Sequence, residues 1–225
     1  SEKEYRSCFT VPEGYKLVGV DASGLELRML AHYMNDKEYT DQILHGDIHT
    51  ANQQAAGLET RNQAKTFIYA FLYGAGNEKI GSIVGGGERK GGQLKKAFLN
   101  ATPALRKLID KVQRFAEKGT LPGLDGRRVH VRSQHAALNT LLQSAGAIVM
   151  KEALVIGITK LEEYKYPYQL VAQVHDEFQV EVPETYADRV GVVFRNAIRQ
   201  AGRNLELRCP LDGEHKVGSS WADTH

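Results

Sequence analysis

The chain has 225 residues, 42% of them hydrophobic and 25% charged, with a formal net charge of +2 and a mean hydropathy of −0.39. That balance excludes a wholly disordered or collagen-like chain, and no run of roughly 18 apolar residues argues for a membrane span. Between Glu88 and Arg132 twelve Lys or Arg accompany four acids, so that stretch carries +8 and the remainder −6.

One basic lobe beside an acidic body suits a polyanion that must also meet cation-binding carboxylates, and it equally suits a solvated helical face. The first six residues lack an apolar signal core, and two cysteines, Cys8 and Cys209, cannot form a disulfide framework. Both features lead to the expectation of a reducing, cytoplasmic setting.

In chain order, residues 16–20 read as a short buried strand ending at Asp21, and residues 25–34 have helical spacing of apolar side chains. Residues 60–73 predict a helix with Thr60 as N-cap and Gly74-Ala-Gly76 as its stop. Glycines at 85–87 and at 91 and 92 predict loops, and residues 94–118 are helical with a break near Pro103. A turn at 121–126 leads into an alternating strand at 128–132, and residues 136–163 carry a long helical pattern. Two alternating runs, 170–174 and 178–182, enclose His175-Asp-Glu177 as a hairpin with an acidic tip. Residues 187–202 predict a final helix, followed by a short strand near 205–207. Few strands, flanked by helices without a βαβ rhythm, predict an α+β fold with an antiparallel sheet.

Asp21, at a strand end, and Asp176, at a hairpin tip, are each compatible with ordinary turn chemistry. Brought together, two carboxylates repel unless a cation intervenes, and Mg²⁺ accepts carboxylates plus substrate phosphates. The Ala22 carbonyl could complete such a ligand set. Ser23-Gly-Leu-Glu26 has a capping-box form, which leaves Glu26 either a helix cap or a neighbour of Asp21 in the same pocket.

In the predicted helix after Thr60, Arg61, Lys65, Tyr69 and Tyr73 recur every four residues, with Ala64, Ile68, Phe71 and Leu72 as the apolar side. Two cations near a helix N-terminus suit a triphosphate, and Tyr69 would lie where an attached sugar or base could stack. Snorkelling cations on an amphipathic surface helix fit the same spacing. His45-Gly-Asp-Ile-His49 has the composition of a transition-metal site, but Gly46 weakens a helical pair and no third ligand is near in sequence.

Three separated segments together resemble the family A, or DNA polymerase I-like, DNA polymerases of bacteriophage replicative type. Val20-Asp-Ala-Ser-Gly-Leu-Glu-Leu-Arg28 resembles motif A. Arg61-Asn-Gln-Ala-Lys65 followed by Tyr69 and Tyr73-Gly74 resembles the motif B helix, and Val174-His-Asp-Glu177 resembles motif C. Asp47-Ile-His49 and the run from Arg132 through Asn139 to Gln143 also match family segments, and the likeness covers nearly the whole chain in the family's order.

The resemblance implies an antiparallel palm sheet with flanking helices plus a helical fingers subdomain. Residues 1–44 would be the first part of the palm, 45–128 the fingers with the motif B helix at about 60–74, and 129–225 the second part of the palm with the motif C hairpin at about 170–182. It implies a DNA-directed DNA polymerase that joins dNTPs to a primer 3′-hydroxyl by two-metal phosphoryl transfer. Asp21 and Asp176, with the Ala22 carbonyl, would bind two Mg²⁺ ions, and Lys65 would neutralise the leaving phosphates. Arg61 and His49 would grip outer phosphate oxygens, and Glu26 would leave no room for a 2′-hydroxyl. Tyr69 would pack on sugar and base, and a Tyr rather than a Phe there implies that dideoxynucleotides are accepted. Tyr73, Arg132, Asn139, Gln143 and His175 would contact primer–template DNA, Gln143 and His175 by reading minor-groove acceptors.

Only twenty residues precede Asp21, so thumb and exonuclease are expected to be absent. A separate thumb or exonuclease subunit, or a processivity factor, is then an expected partner. Two other readings compete. A single-subunit RNA polymerase relative is disfavoured by Glu26 and Glu177, while a non-catalytic DNA-binding fragment, or one subunit of a split polymerase, stays open. A two-metal phosphohydrolase would leave the stripe from Arg61 to Tyr73 unexplained.

Overall fold

The computed structural model describes residues 2–225. In chain order the elements are α1 (Glu2–Ser7), β1 (Tyr15–Ala22), α2 (Leu25–Met34), α3 (Lys37–His45), α4 (Ile48–Ala56), α5 (Arg61–Leu72), α6 (Asn77–Ser82), α7 (Glu88–Ala101) and α8 (Pro103–Ala116). They continue with β2 (Thr120–Pro122), β3 (Arg128–His130), α9 (Ala137–Glu163), β4 (Gln169–Val174), β5 (Glu177–Pro183), α10 (Ala187–Asn204), β6 (Gly213–Gly218) and α11 (Trp221–Thr224). The fold is α+β. The chain divides into two compact units, one made of Ser1–Glu26 and Gly146–His225, the other of Leu27–Ala145. The sequence places its boundaries elsewhere, after residues 44 and 128. Helices α2 and α9 run through the divisions, and nothing in a continuous helical period marks where one packing environment gives way to the next.

The first unit is built on a four-stranded antiparallel sheet in the order β4-β5-β1-β6. Central β1 is buried on both faces, so it reads as a continuous apolar run: Leu17, Val18 and Val20 are all at 3% exposure or less. On one face α10 packs an apolar stripe of Val190, Phe194, Ala197 and Ile198 against the sheet. The Phe194 ring meets Phe178 of β5 at 5.3 Å and fills the space above Gly157 of α9, where a side chain would collide with it. Burying one such phenylalanine contributes roughly 2–3 kcal/mol. On the other face α11 closes over Gly19, whose missing side chain makes room for Thr224 and Gln179. Helix α9 is apolar and long enough to cross a membrane by composition, but Met150, Ala153 and Leu161 are buried in the protein, as in a core helix.

The second unit is helical apart from the β2–β3 hairpin. Thr60 caps α5 in a reciprocal capping box with Gln63. The buried side of α5 is Ala64, Phe67, Ile68 and Leu72, with Phe71 only half-buried. Phe67 therefore takes the place the sequence gives to Phe71, and it packs edge-on to Phe98 of α7 at 5.2 Å.

Three local expectations are corrected. Gly91 and Gly92 lie inside α7 rather than in a loop, because α6 and α7 approach so closely that a side chain at Gly91 would strike the Asn77 backbone. Residues 205–207 are not a strand: they close the end of α10, with Leu205 and Leu207 amides donating to the carbonyls of Ala201 and Gly202. The strand instead is β6, further on. The hairpin tip is His175 and Asp176 alone, since Glu177 already belongs to β5.

Candidate active site

The acidic region belongs to the first unit and is set by strand register. Asp21 lies near the end of β1, opposite Glu177 of β5 on one side and Glu214 of β6 on the other. The Ala22 amide donates to the Asp176 carbonyl at 2.9 Å, so the backbone ladder itself brings the two aspartates side by side. Four acids thus meet at one end of the sheet. Partial desolvation, then Asp176 and Glu177, push the Asp21 carboxyl up to about 6, with His225 opposing.

Alternation puts Gly19, Asp21, Glu177, Gln179, Glu214 and Lys216 on the sheet face that α11 covers. Gly19, Asp21, Glu177, Glu214 and Lys216, with Thr224 and His225, line an open cleft there. Glu177, 5% exposed, is held in place by the Trp221 indole N–H at 2.6 Å, by the Gln179 side-chain amide, and by contact with His225 Nδ1 at 2.6 Å. His175 occupies the left-handed region at φ 52° and is exposed at the hairpin tip. Histidine enters that region more readily than bulky residues do, but the conformation costs energy that the tight hairpin imposes. Glu26 lies half-buried in the first turn of α2.

The cationic region belongs to the second unit. Arg61 and Lys65 are exposed on α5, Tyr69 is half-buried, and Tyr73, the C-cap residue, is exposed. His49, in the first turn of α4, faces Tyr69 with ring centroids 6.3 Å apart. Its Nδ1 is buried without a partner, and its proton affinity is pushed down by burial, then by Arg61. Gln143 donates weakly to the Tyr73 hydroxyl at 3.4 Å, which joins the start of α9 to the end of α5. Asn139 carries a buried side-chain oxygen without a hydrogen-bond partner, and Arg132 is exposed.

Each unit therefore gathers its own subset of the residues singled out in sequence. Asp21, Ala22, Glu26, His175 and Asp176 lie in the first; His49, Arg61, Lys65, Tyr69, Tyr73, Arg132, Asn139 and Gln143 lie in the second. Sequence reading puts Glu177 at the hairpin tip rather than in a strand, and misses the other surroundings of Asp21: Glu214, Trp221 and His225. For Glu177 a signal existed, because the alternation of Phe178 and Val180 extends back to it and places a carboxylate in a strand. In the sequence Asp47 figures as a metal-ligand candidate and as part of the Asp47-Ile-His49 family match. It is in fact the N-cap of α4 and accepts from Arg61 Nε at 2.6 Å. Among the described residues no group of three or more His, Cys, Asp or Glu is arranged to hold a metal ion. The Asp21–Asp176 pair nevertheless fits a hard divalent cation: its donors are oxygens, and a cation would relieve the carboxylate repulsion that adds to desolvation in raising Asp21.

The structure is similar to the POL domain of Pol1 from M. smegmatis, solved in complex with DNA primer-template and dNTP, with a TM-score of 0.86 and 22% identity over 99% of this chain and 43% of that one. Residues 1–223 match DNA polymerase family A, and the chain belongs to that family. It is 47% identical over 236 residues to the DNA-directed DNA polymerases of Enterobacteria phage T3 and Escherichia phage T7, covering 92% of this chain. The chain spans about a third of the length of those two relatives, 33% in each case.

Proposed function

We propose that this chain carries the nucleotidyl-transfer centre of a template-directed DNA polymerase, adding deoxynucleotides to a primer 3′-hydroxyl. The observation that carries this reading is the Ala22–Asp176 backbone hydrogen bond, which sets two aspartates side by side at the end of a sheet. In this reading the first unit is the palm and the second the fingers. Asp21 and Asp176, with the Ala22 carbonyl, would hold two Mg²⁺ ions. Bound there, the ions would supply Lewis-acid activation of the 3′-hydroxyl and neutralise charge on the departing pyrophosphate.

The protein's own groups do the positioning that phosphoryl transfer mostly requires. Arg61 and Lys65 offer exposed cations to the triphosphate at the N-terminal half of α5, where the helix dipole also favours anions. Lys65 would balance charge on the leaving group and could give it a proton. His49, whose proton affinity is depressed by burial and then by Arg61, would gain affinity once an anionic triphosphate arrives, turning Nδ1 or Nε2 into a charged donor. Tyr69 offers a ring to sugar and base, and Glu26 a carboxylate that excludes a 2′-hydroxyl. Tyr73, Arg132, Asn139, Gln143 and His175 are assigned to primer–template contacts. A processivity factor belongs to the same proposal as a partner.

Primer extension on a defined template, with dNTPs or NTPs and with or without Mg²⁺, tests it. The expected result is Mg²⁺-dependent, template-directed incorporation of dNTPs. DNA binding without incorporation at saturating Mg²⁺ would reassign the chain as a binding module, and preference for NTPs would reassign it to RNA synthesis.

A further inference from the structure

The second unit contains two Arg–Asp pairs built differently. Arg127 closes on Asp125 with Nε to both carboxylate oxygens at 2.9 Å and Nη2 to Oδ2 at 2.6 Å, so much of its donor fork is consumed. Arg61 meets Asp47 through Nε alone, at 2.6 Å to Oδ2. Its Nη1 and Nη2 make no hydrogen bond among the described residues, although they are the two nitrogens suited to a bidentate grip on phosphate.

Asp47 is itself fixed from several sides. Oδ1 accepts from the amides of His49 at 3.1 Å and Thr50 at 3.4 Å, capping α4, and Oδ2 accepts from the Thr50 hydroxyl at 2.9 Å. An N-cap needs one acceptor oxygen. The second is spent on orienting the guanidinium of a different helix.

Resting on the nucleotide-site reading of α5, we infer that Asp47 is a positioning residue for that site: one carboxylate fixes both the Arg61 side chain and the His49 main chain for the phosphates of an incoming deoxynucleoside triphosphate. As an attraction for the ligand Asp47 is counterproductive, since it adds a negative charge beside an anion. Its contribution is to hold Arg61 with its outer nitrogens presented, saving the ordering cost a free arginine would incur on binding. The hydrogen bonds from Arg61 and Thr50 hold the Asp47 carboxyl well below the usual carboxylate range, so the anchor stays ionised across ordinary pH. An exposed ion pair of this kind contributes little to stability by itself, which separates its purpose from that of a structural bridge.

Asp47→Asn and Asp47→Ser test this, because Asn and Ser both cap helices while removing the charge that faces Arg61. Steady-state primer extension at saturating primer–template gives KM for dNTP and kcat, and calorimetry gives the Kd of inorganic tripolyphosphate. The expected result is a roughly tenfold rise in both KM and that Kd, the loss of about one well-placed charged contact, with kcat within about twofold and an unchanged melting temperature. In an Arg61→Ala background, Asp47→Asn is expected to change neither value further. A KM that falls or stays level in both Asp47 variants, while Arg61→Ala raises it, overturns the inference and leaves the nucleotide site standing. A level KM in Arg61→Ala itself overturns the underlying site.

Discussion

The acidic and cationic regions achieve placement by opposite means. At the end of β1 the groups are positioned by main-chain pairing: Asp21 sits opposite Glu177 and Glu214 whether or not their charges agree. On α5 the cations Arg61 and Lys65 are positioned by helical spacing, Arg61 also by a side-chain tether to Asp47, and both remain exposed. A ladder can force like charges together and store their repulsion until a cation arrives. A helix surface cannot, and presents its cations loosely until a ligand or a neighbouring carboxylate orders them. Substitutions in the first region are therefore expected to trade chemistry against stability, and those in the second to alter ligand response with little effect on folding.

The sharpest break of that contrast comes at Asp176. Asp176→Asn is expected to lower incorporation by about 10³-fold while leaving the fold intact and raising the melting temperature, because a carboxylate facing Asp21 is lost. Retained turnover in a single-turnover assay would show that the hairpin acid takes no part in chemistry. Lys65→Ala on the exposed helix should cost about 10²-fold in kcat without moving the melting temperature. A drop in thermal stability comparable to that of a core substitution would mean the lysine is structural. Glu26→Ala is expected to relax the preference for dNTP over NTP by roughly tenfold, the scale of one steric or polar discrimination, read from competing kcat/KM values. Unchanged sugar selectivity would remove Glu26 from the nucleotide site.

The smallest effect concerns pH. The Asp21 carboxyl is raised from 3.8 to about 6, so the folded protein holds that proton more tightly than the unfolded chain does. In metal-free buffer its contribution to stability therefore falls as pH rises from about 4 to about 6 and is level above that. Asp21→Asn should be more stable than the parent at pH 7, by about 1 kcal/mol once solvent screening of this exposed group is allowed for, and equal to it near pH 4. Urea midpoints across that range give the difference, and an advantage for Asn that grows toward acid pH would reverse the sign.

Elements governed by local periodicity were legible from sequence: residues 25–34, the Thr60-capped helix, the break at Pro103 and the strand pair around His175 and Asp176. What was not legible depends on distant partners. Gly91 looked like a loop residue because its reason for being glycine, the Asn77 backbone, is remote in sequence. Glu214 and Trp221 became neighbours of Asp21 and Glu177 only through sheet order and the fold-back of α11, which no local pattern announces. The aspartates themselves were identifiable as candidates, but their adjacency rests on a register that sequence does not print.

Trp221 is the single tryptophan of the chain, and its indole N–H donates to Glu177, the strand neighbour of Asp21. The protein therefore carries a native fluorophore wired to the carboxylates at the sheet end. Divalent ions entering that cluster should change its emission directly, giving an optical titration that needs no label and no turnover.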